Sequence, residues 1–458
     1  MTVVGREVRV PPGPSRAAAV PMLITMGRDR LGMMTTAAAR YGDAARLPVG
    51  PKELYFFNHP EHARHVLADN AANYHKGIGL THARRALGDG LLTSEGDVWR
   101  KQRRVIQPAF QSRRIAEQAG VVADEAAKLT ARLRSRIGRG PVDVQQAMTG
   151  LTLGVLGRTL LDTDLSRFPA IGRDFAAVQD QAMFELASLN AVPPWVPLPR
   201  QLAFRRARRR LETVVDSLVA ERAGDSGDRP DVLSRLIVSA RQESDPAVGD
   251  RRLRDEIITL LLTGHETTAS TLSWTLHLID RHPEVRERLR QEAFAVLGDR
   301  PPTFEDLGKL RYTAMVIDEV VRLYPPVWIL PRKALAADRI GGYDVPAGAD
   351  VLICPFTLHR NPAFWEHADR FDPDRFDPAL PVSRPRYAYI PFGAGPRFCV
   401  GNHLGLMEAV FVLATLVREL RLTHVAADRV VPEPMLSLRI RSGLPMLVAD
   451  AAARPEGG

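Results

Sequence analysis

Cysteine is nearly missing from this chain: two residues in 458. That rules out a disulfide framework and fits a reducing compartment. It also leaves too few thiols for an iron–sulfur cluster or a multi-cysteine zinc site. Lysine is scarce too, with six residues, so the formal net charge of +9 rests on arginine. That excess fits nucleic acid, an acidic protein partner, or arginine-favouring codons. The basic residues are spread along the chain instead of gathered in one arm, which argues against nucleic acid. Long apolar runs are missing as well. The stretch AAAVPMLITM, 17–26, falls short of the ~20 residues a spanning helix needs. It has no basic segment before it and no small-residue cleavage site after it, so no signal peptide is expected. The expectation is a cytoplasmic protein without a membrane anchor.

What is present is an ordinary globular composition, 45% hydrophobic and 25% charged, enough for one large core. Residues 1–15 and 452–458 read as a loose arm and a frayed tail. Residues 16–451 read as one domain. Two polar stretches, 223–231 and 241–250, read as loops. Most of 95–325 carries helical periodicity. One helix is expected over 96–106, opened by Ser94 with Asp97 as a capping-box pair. Another is expected over 200–223, with the RRARRR cluster at 205–210 on a solvated face. The longest runs from about Leu253 to Arg281 and stops at His282-Pro283, because the residue before proline resists helical geometry. Short strands are expected over 53–58 and 350–354. The fold class is mainly α with small β-sheets.

Chemistry concentrates around PFGAGPRFCVG, 391–401. Cys399 and His403 lie four apart, but a structural zinc site wants four ligands. A nucleophilic Cys399 would need a histidine and an orienting group, and the sequence leaves that open. Neither explains glycines at 393, 395 and 401, or Arg397 two residues before the sulfur. A haem iron does. A thiolate can serve as its axial ligand, and Gly393 and Gly395 permit the tight turn by which backbone approaches a flat macrocycle. Gly401 lets the next helix start close to the ring. Phe392 would shield the proximal pocket, and Arg397 offers a fork to a propionate. Cys354, in the apolar run ADVLICPF, reads as core.

Three further patterns follow. TGHETTAS, 263–270, puts glycine and β-branched residues in mid-helix against propensity. Gly264 and Thr267 are expected to open the helix locally, and Glu266 beside Thr267 can relay protons. His265-Glu266 is not a zinc-peptidase pair, because Ala269 stands where the second histidine belongs. Glu319 and Arg322, three apart, share a helix face, with Arg375 of RFDPDRF as a third member. Trp99 and Arg103, four apart, present an indole and a guanidinium that can bind a propionate.

Phe392, Gly395, Arg397, Cys399 and Gly401, with these ordered patterns, resemble the cytochrome P450 family over roughly 40–450. The resemblance implies a single-domain fold with a long central helix over a buried haem b. It implies that Cys399 is the axial ligand and Arg332 a further propionate ligand. Thr267 would hydrogen-bond the bound oxygen, and Glu266 would feed it protons. The Glu319–Arg322–Arg375 triad would be buried and hold the cysteine loop. Thr263 departs from the family's more frequent alanine. The implied activity is monooxygenation with O2 and a separate ferredoxin or flavodoxin-type donor with its reductase. No flavin or nicotinamide fingerprint is present in the chain. The pocket would be lined by the mobile loop 78–92, the helix near Leu261 and VWIL, 327–330, which favours a lipophilic molecule. Segments 327–351 and 99–110 are similar to actinobacterial members that oxidise terpenoids. The alternatives are a fatty-acid hydroxylase, with Arg84 or Arg85 on the carboxylate, and a haem-thiolate peroxygenase or isomerase. A haem sensor would need a signalling module, for which the chain has no room.

Overall fold

The computed structural model describes residues 9–188, 190–223, 231–381, 384–425 and 430–451. The 452–458 tail, residues 1–8 of the expected arm and 224–230 of the first polar loop lie outside the described residues. The helices are α1 (Ala19–Arg28), α2 (Arg30–Tyr41), α3 (Pro60–Arg64), α4 (Leu80–Leu87), α5 (Gly96–Ile106), α6 (Ser112–Arg134), α7 (Val144–Leu160) and α8 (Ile171–Ala187). They continue with α9 (Pro199–Ala223), α10 (Val232–Arg241), α11 (Pro246–Arg281), α12 (Pro283–Leu297), α13 (Arg311–Leu323), α14 (Pro355–Leu358) and α15 (Asn402–Glu419).

Helix α11 is the longest, 36 residues, about 54 Å at 1.5 Å per residue. It begins about two turns earlier than the hydrophobic pattern suggests. Asp245 caps it by accepting from Ala247 N at 2.9 Å, with Pro246 in the first turn, a position that tolerates proline because its missing N–H has no helical partner. It ends before His282-Pro283 as expected. Helices α6, α7, α10, α11, α12, α13 and α15 enclose one large apolar core, in which Leu261, Leu272 and Trp274 of α11 are fully buried.

The main sheet takes β1 (Ala44–Val49), β2 (Lys52–Phe57), β3 (Tyr74–Lys76), β5 (Leu330–Ala334) and β8 (Asp350–Ile353) in the order β1-β2-β8-β5-β3. Strand β2 shows why it sits inside. Leu54 and Phe56 enter one core, and Tyr55 and Phe57 another on the opposite face, as a period of two requires. Small sheets pair β6 (Asp338–Ile340) with β7 (Tyr343–Val345), β10 (Pro432–Pro434) with β11 (Leu438–Ile440), and β12 (Pro445–Asp450) with β4 (Val142–Asp143) and β9 (Leu420–His424).

Several local expectations need correction. Ser94 does not cap α5: its hydroxyl donates to Gln102 Oε1 at 2.7 Å, and Glu95 stands at the cap position. The RRARRR cluster is not a purely solvated face. Arg208 pairs with the buried Asp255 at 3.0 Å, and Arg210 donates through Nε to the buried Asp174 at 3.0 Å. Loop 78–92 contains α4, with Arg84 and Arg85 on it. Residues 9–13 of the expected arm are tied down, since Arg46 N donates to Pro12 O and Asp344 N to Arg9 O.

Candidate active site

The cysteine loop is shaped by its glycines. Gly393 and Gly395 have φ of +72° and +64°, where side chains are strained. A Cβ on Gly395 would also sit 1.9 Å from Leu67 O. The turn closes when Cys399 N donates to Phe392 O at 3.0 Å, and α15 starts immediately after. Burial pushes the Cys399 thiol up, while the Gly401 backbone N–H and the Arg103 charge pull it down. Those are the two devices that stabilise a thiolate. Cys354 is unlike it: it is fully buried, donates to Trp328 O at 3.1 Å, and is pushed up to about 11 by burial. It is core, as expected.

Behind the loop lies a strut. Glu319 and Arg322 are fully buried and joined by two bonds, 2.6 and 2.8 Å, with Arg375 Nε on Glu319 at 3.1 Å. Arg322 also donates to the carbonyls of His359, Ala368 and Arg370 at 2.7–3.1 Å. His359 Nε2 accepts from Ile390 N at 2.9 Å, just ahead of the cysteine loop. Burial pushes this imidazole down to about 3, so it stays neutral and keeps that lone pair. The triad was legible in the sequence. His359 was not, because its backbone carbonyl and its ring nitrogen are used with residues 37 and 31 positions away.

Cys399, Glu266, Thr267, Trp99, Arg103, Arg332 and Arg397 all line one cavity of about 340 Å³. Phe392 and the three glycines do not line it. Phe392 instead sets its ring against Phe398, 6.3 Å between centroids. Thr267 donates its hydroxyl to Thr263 O at 3.1 Å, and Thr263 in turn to Thr259 O at 2.8 Å. Glu266 Oε1 accepts from Ser437 Oγ at 2.9 Å. The expected opening of α11 does not appear, and the helix runs unbroken through 263–267. Gly264 serves packing, since a Cβ there would meet Leu156 of α7 at 2.0 Å.

The rim of the cavity tests whether haem fits. Lys76 on β3 and Arg332 on β5 are cross-strand partners. Both are buried, and like charges directly opposite one another are destabilising. Burial pushes Lys76 down to about 6, and pushes Arg332 down to about 10 with Arg397 adding to it. Among the described residues the Arg332 side chain donates only to its neighbour Pro331 O, and the Arg103 side chain to Phe398 O at 2.9 Å and Gln107. Arg397 pairs with Glu95, donates to Ser94 O at 3.1 Å and lies 3.9 Å above the Trp99 ring. Three guanidiniums, with the Lys76 amine held largely uncharged by burial, thus face Glu95, while Glu256 acts on Lys76 from behind. Such a set calls for an anionic ligand, and the two propionates of haem supply it. Lys76 and Glu95 were missed in the sequence because nothing in their local spacing marks them.

The remaining wall is mostly apolar, with the Arg30 guanidinium of α2 as its charged member. Met26, Met33 and Met34 from α1 and α2, Met183 and Leu186 from α8, and Met435 line it with Val327–Leu330. Arg84 pairs with Asp89, and Arg85 lies 3.7 Å from Glu185. Neither lines the cavity, so neither is placed to hold a substrate carboxylate. Among the described residues no helix is long and apolar enough to cross a membrane.

A family model described as Cytochrome P450 matches residues 11–445. Cyclooctatin synthase of Streptomyces melanosporofaciens is 36% identical over 419 residues, 91% of this chain and 90% of its own length. Cyclooctat-9-en-7-ol 5-monooxygenase of the same organism is 36% identical over 393 residues, 84% and 83% of the two chains. Pentalenene oxygenase of Streptomyces avermitilis is 33% identical over 403 residues, 87% and 88%.

Proposed function

This chain belongs to the cytochrome P450 family and is a haem-thiolate monooxygenase, and we propose that it oxidises a compact terpenoid with Cys399 as the haem ligand. One observation carries the assignment of roles: a single cavity gathers the cavity-facing cysteine, an acid–alcohol pair and a rim with more guanidiniums than carboxylates. The relatives named for terpenoid products support the substrate class, and so does a wall of methionine and leucine. Methionine fills irregular space and adapts to shape.

Bound haem supplies reductive activation of O2. The chain's own residues do the rest. Arg103, Arg332, Arg397, Lys76 and the Trp99 indole hold the propionates. The Gly401 N–H and Arg103 would stabilise the Cys399 thiolate against the burial that favours the thiol. The apolar wall excludes water around the substrate and orients the C–H bond. Glu266, opening onto the cavity, would pass protons, and the Thr267 hydroxyl, once turned from Thr263 O, would donate a hydrogen bond into the cavity. The acid–alcohol pair supports O2 over peroxide as the oxidant. Electrons come from a ferredoxin or flavodoxin-type donor. Exposed Arg100 and Arg104 on α5, whose Arg103 reaches Phe398 O of the cysteine loop, suit an acidic one. The test is turnover under ¹⁸O2 with a ferredoxin and its reductase, offered isoprenoid hydrocarbons and alcohols beside fatty acids. One labelled oxygen in an isoprenoid product is expected. Unlabelled product overturns O2 as the source, and labelled fatty acid alone overturns the substrate class.

A further inference from the structure

Helix α11 carries His265 immediately before the acid Glu266, and the relay described above does not use it. The imidazole is 1% exposed and packs against the ring of Phe175 on α8, with centroids 5.3 Å apart. Its Nδ1 faces the carbonyl of Leu261, one turn back. A carbonyl oxygen only accepts, so Nδ1 carries the hydrogen and Nε2 presents a bare lone pair. Among the described residues no donor reaches Nε2. The polar atom that stands nearby is Glu266 Oε2, at 3.6 Å. The other oxygen of that carboxylate is already satisfied by Ser437.

Two acceptors therefore face each other where the imidazole has no access to solvent. An unpartnered buried acceptor carries its full desolvation cost. Two of them side by side add repulsion. One proton placed between Nε2 and Oε2 removes both penalties. The separation is longer than a formed hydrogen bond, and catalytic contacts of this kind commonly tighten only in the working complex.

We propose that His265 is a positioning residue that shares one proton with Glu266 and so keeps the acid of the relay loaded and aimed. The proton has two resting places, the carboxyl oxygen and the imidazole Nε2. Burial disfavours the imidazolium, while the carboxylate and the Leu261 carbonyl favour it. On delivery the proton leaves Glu266 for an acceptor in the cavity. A carboxylate and a neutral imidazole remain, and one proton from cavity water reloads the pair. No electron moves in the exchange. The backbone bond to Leu261 fixes the ring, so Nε2 always presents the same face to Oε2.

The inference rests on Glu266 being the relay acid, and its test is separable from that reading. The measurement is ¹⁵N-histidine NMR of the diamagnetic ferrous–CO holoenzyme, wild type beside Glu266→Gln. The expected spectrum shows His265 as the Nδ1–H form, with an Nε2 signal displaced toward a protonated nitrogen and sensitive to H/D exchange. Glu266→Gln abolishes both the displacement and the isotope sensitivity. A wild-type ring protonated on Nε2 and bare on Nδ1 overturns the proposal, as does a ring signal that Glu266→Gln leaves unchanged. His265→Gln adds a second readout. The infrared stretch of a protonated carboxyl, present in wild type and assigned by its loss in Glu266→Gln, is expected to weaken or vanish. Its persistence at full intensity is the contrary result. Product per reductant in Glu266→Gln judges the relay itself. A loss of roughly tenfold or more is expected of a positioned proton donor. No loss overturns the relay reading whatever the ring shows.

Discussion

On the cysteine side of the cavity, position is fixed by buried charge and by glycines with positive φ. On the substrate side it is fixed by methionine, leucine and the backbone of short loops. The first side has few ways to move. Arg322 alone reaches Glu319 and three carbonyls, and His359 carries the link to Ile390. The second side can repack at small cost, because methionine and leucine side chains exchange volume without breaking polar bonds. The difference suits the chemistry. The ligand sulfur must stay in one place, while the pocket must fit one lipophile and is free to differ between relatives.

Breaking the strut tests the rigid side most severely. Arg322→Met leaves Glu319 buried and, apart from Arg375 and Asp372 N, without its partner. Removing one member of a buried pair costs roughly 3–5 kcal/mol. Chemical denaturation is expected to show a loss of that size, with haem released on gel filtration. Haem retention at wild-type stability would deny the strut its role.

A buried staple joins the haem rim to the loop that lines the substrate side, and it responds to pH. Glu256 Oε1 accepts from Leu91 N at 3.1 Å, holding the loop that lines the cavity, and Lys76 Nζ donates to Leu91 O at 2.8 Å. Burial pushes Glu256 up to about 8 from an ordinary 4.5, and Lys76 down to about 6 from 10.5. A raised carboxyl means that folding takes up a proton, so its contribution to stability falls as pH rises from 4.5 to 8. A lowered lysine gives the opposite slope from 6 to 10.5. The two cancel between 6 and 8. Glu256→Gln removes the falling slope. Its stability relative to wild type is expected to rise between pH 5 and 8 by up to about 1.4 kcal/mol per pH unit, read by urea unfolding at each pH. A difference independent of pH would remove the titration from the account.

Smaller changes sharpen the contrast between holding and reacting. Thr267→Ala is expected to keep haem, fold and substrate affinity, and to lower product per reductant several-fold, measured as product against NADH consumed. Unchanged coupling would take Thr267 out of the relay. Arg85→Ala is expected to change neither isoprenoid nor myristate affinity, since Arg85 faces Glu185 and not the cavity. A selective loss of myristate binding would restore the fatty-acid alternative.

The rigid side was largely legible in the sequence because its parts sit close together in the chain. Gly393, Gly395, Arg397 and Cys399 span seven residues, and Glu319 and Arg322 are one helical turn apart. The end of α11 was legible for the same reason, since a proline stops it, but its start was not, because Asp245 and Pro246 open it seven residues before Leu253. The substrate side and the Lys76 part of the haem rim were not. Ser437 reaches Glu266 across 171 positions, and Lys76 meets Arg332 only through strand pairing. Met26, Met33 and Met34 carry no motif at all. Local rules also misread three sites where tertiary contacts win. Ser94 is drawn to Gln102, Arg208 to Asp255, and Gly264 is explained by Leu156 of a neighbouring helix.

The measurement that bears most directly on the central claim is the ferrous–CO difference spectrum of the purified protein beside Cys399→Ala. Thiolate ligation by Cys399 predicts a strongly red-shifted Soret band in the wild type that disappears in the variant. An unshifted band in the wild type, or a shifted band that survives in Cys399→Ala, would contradict it.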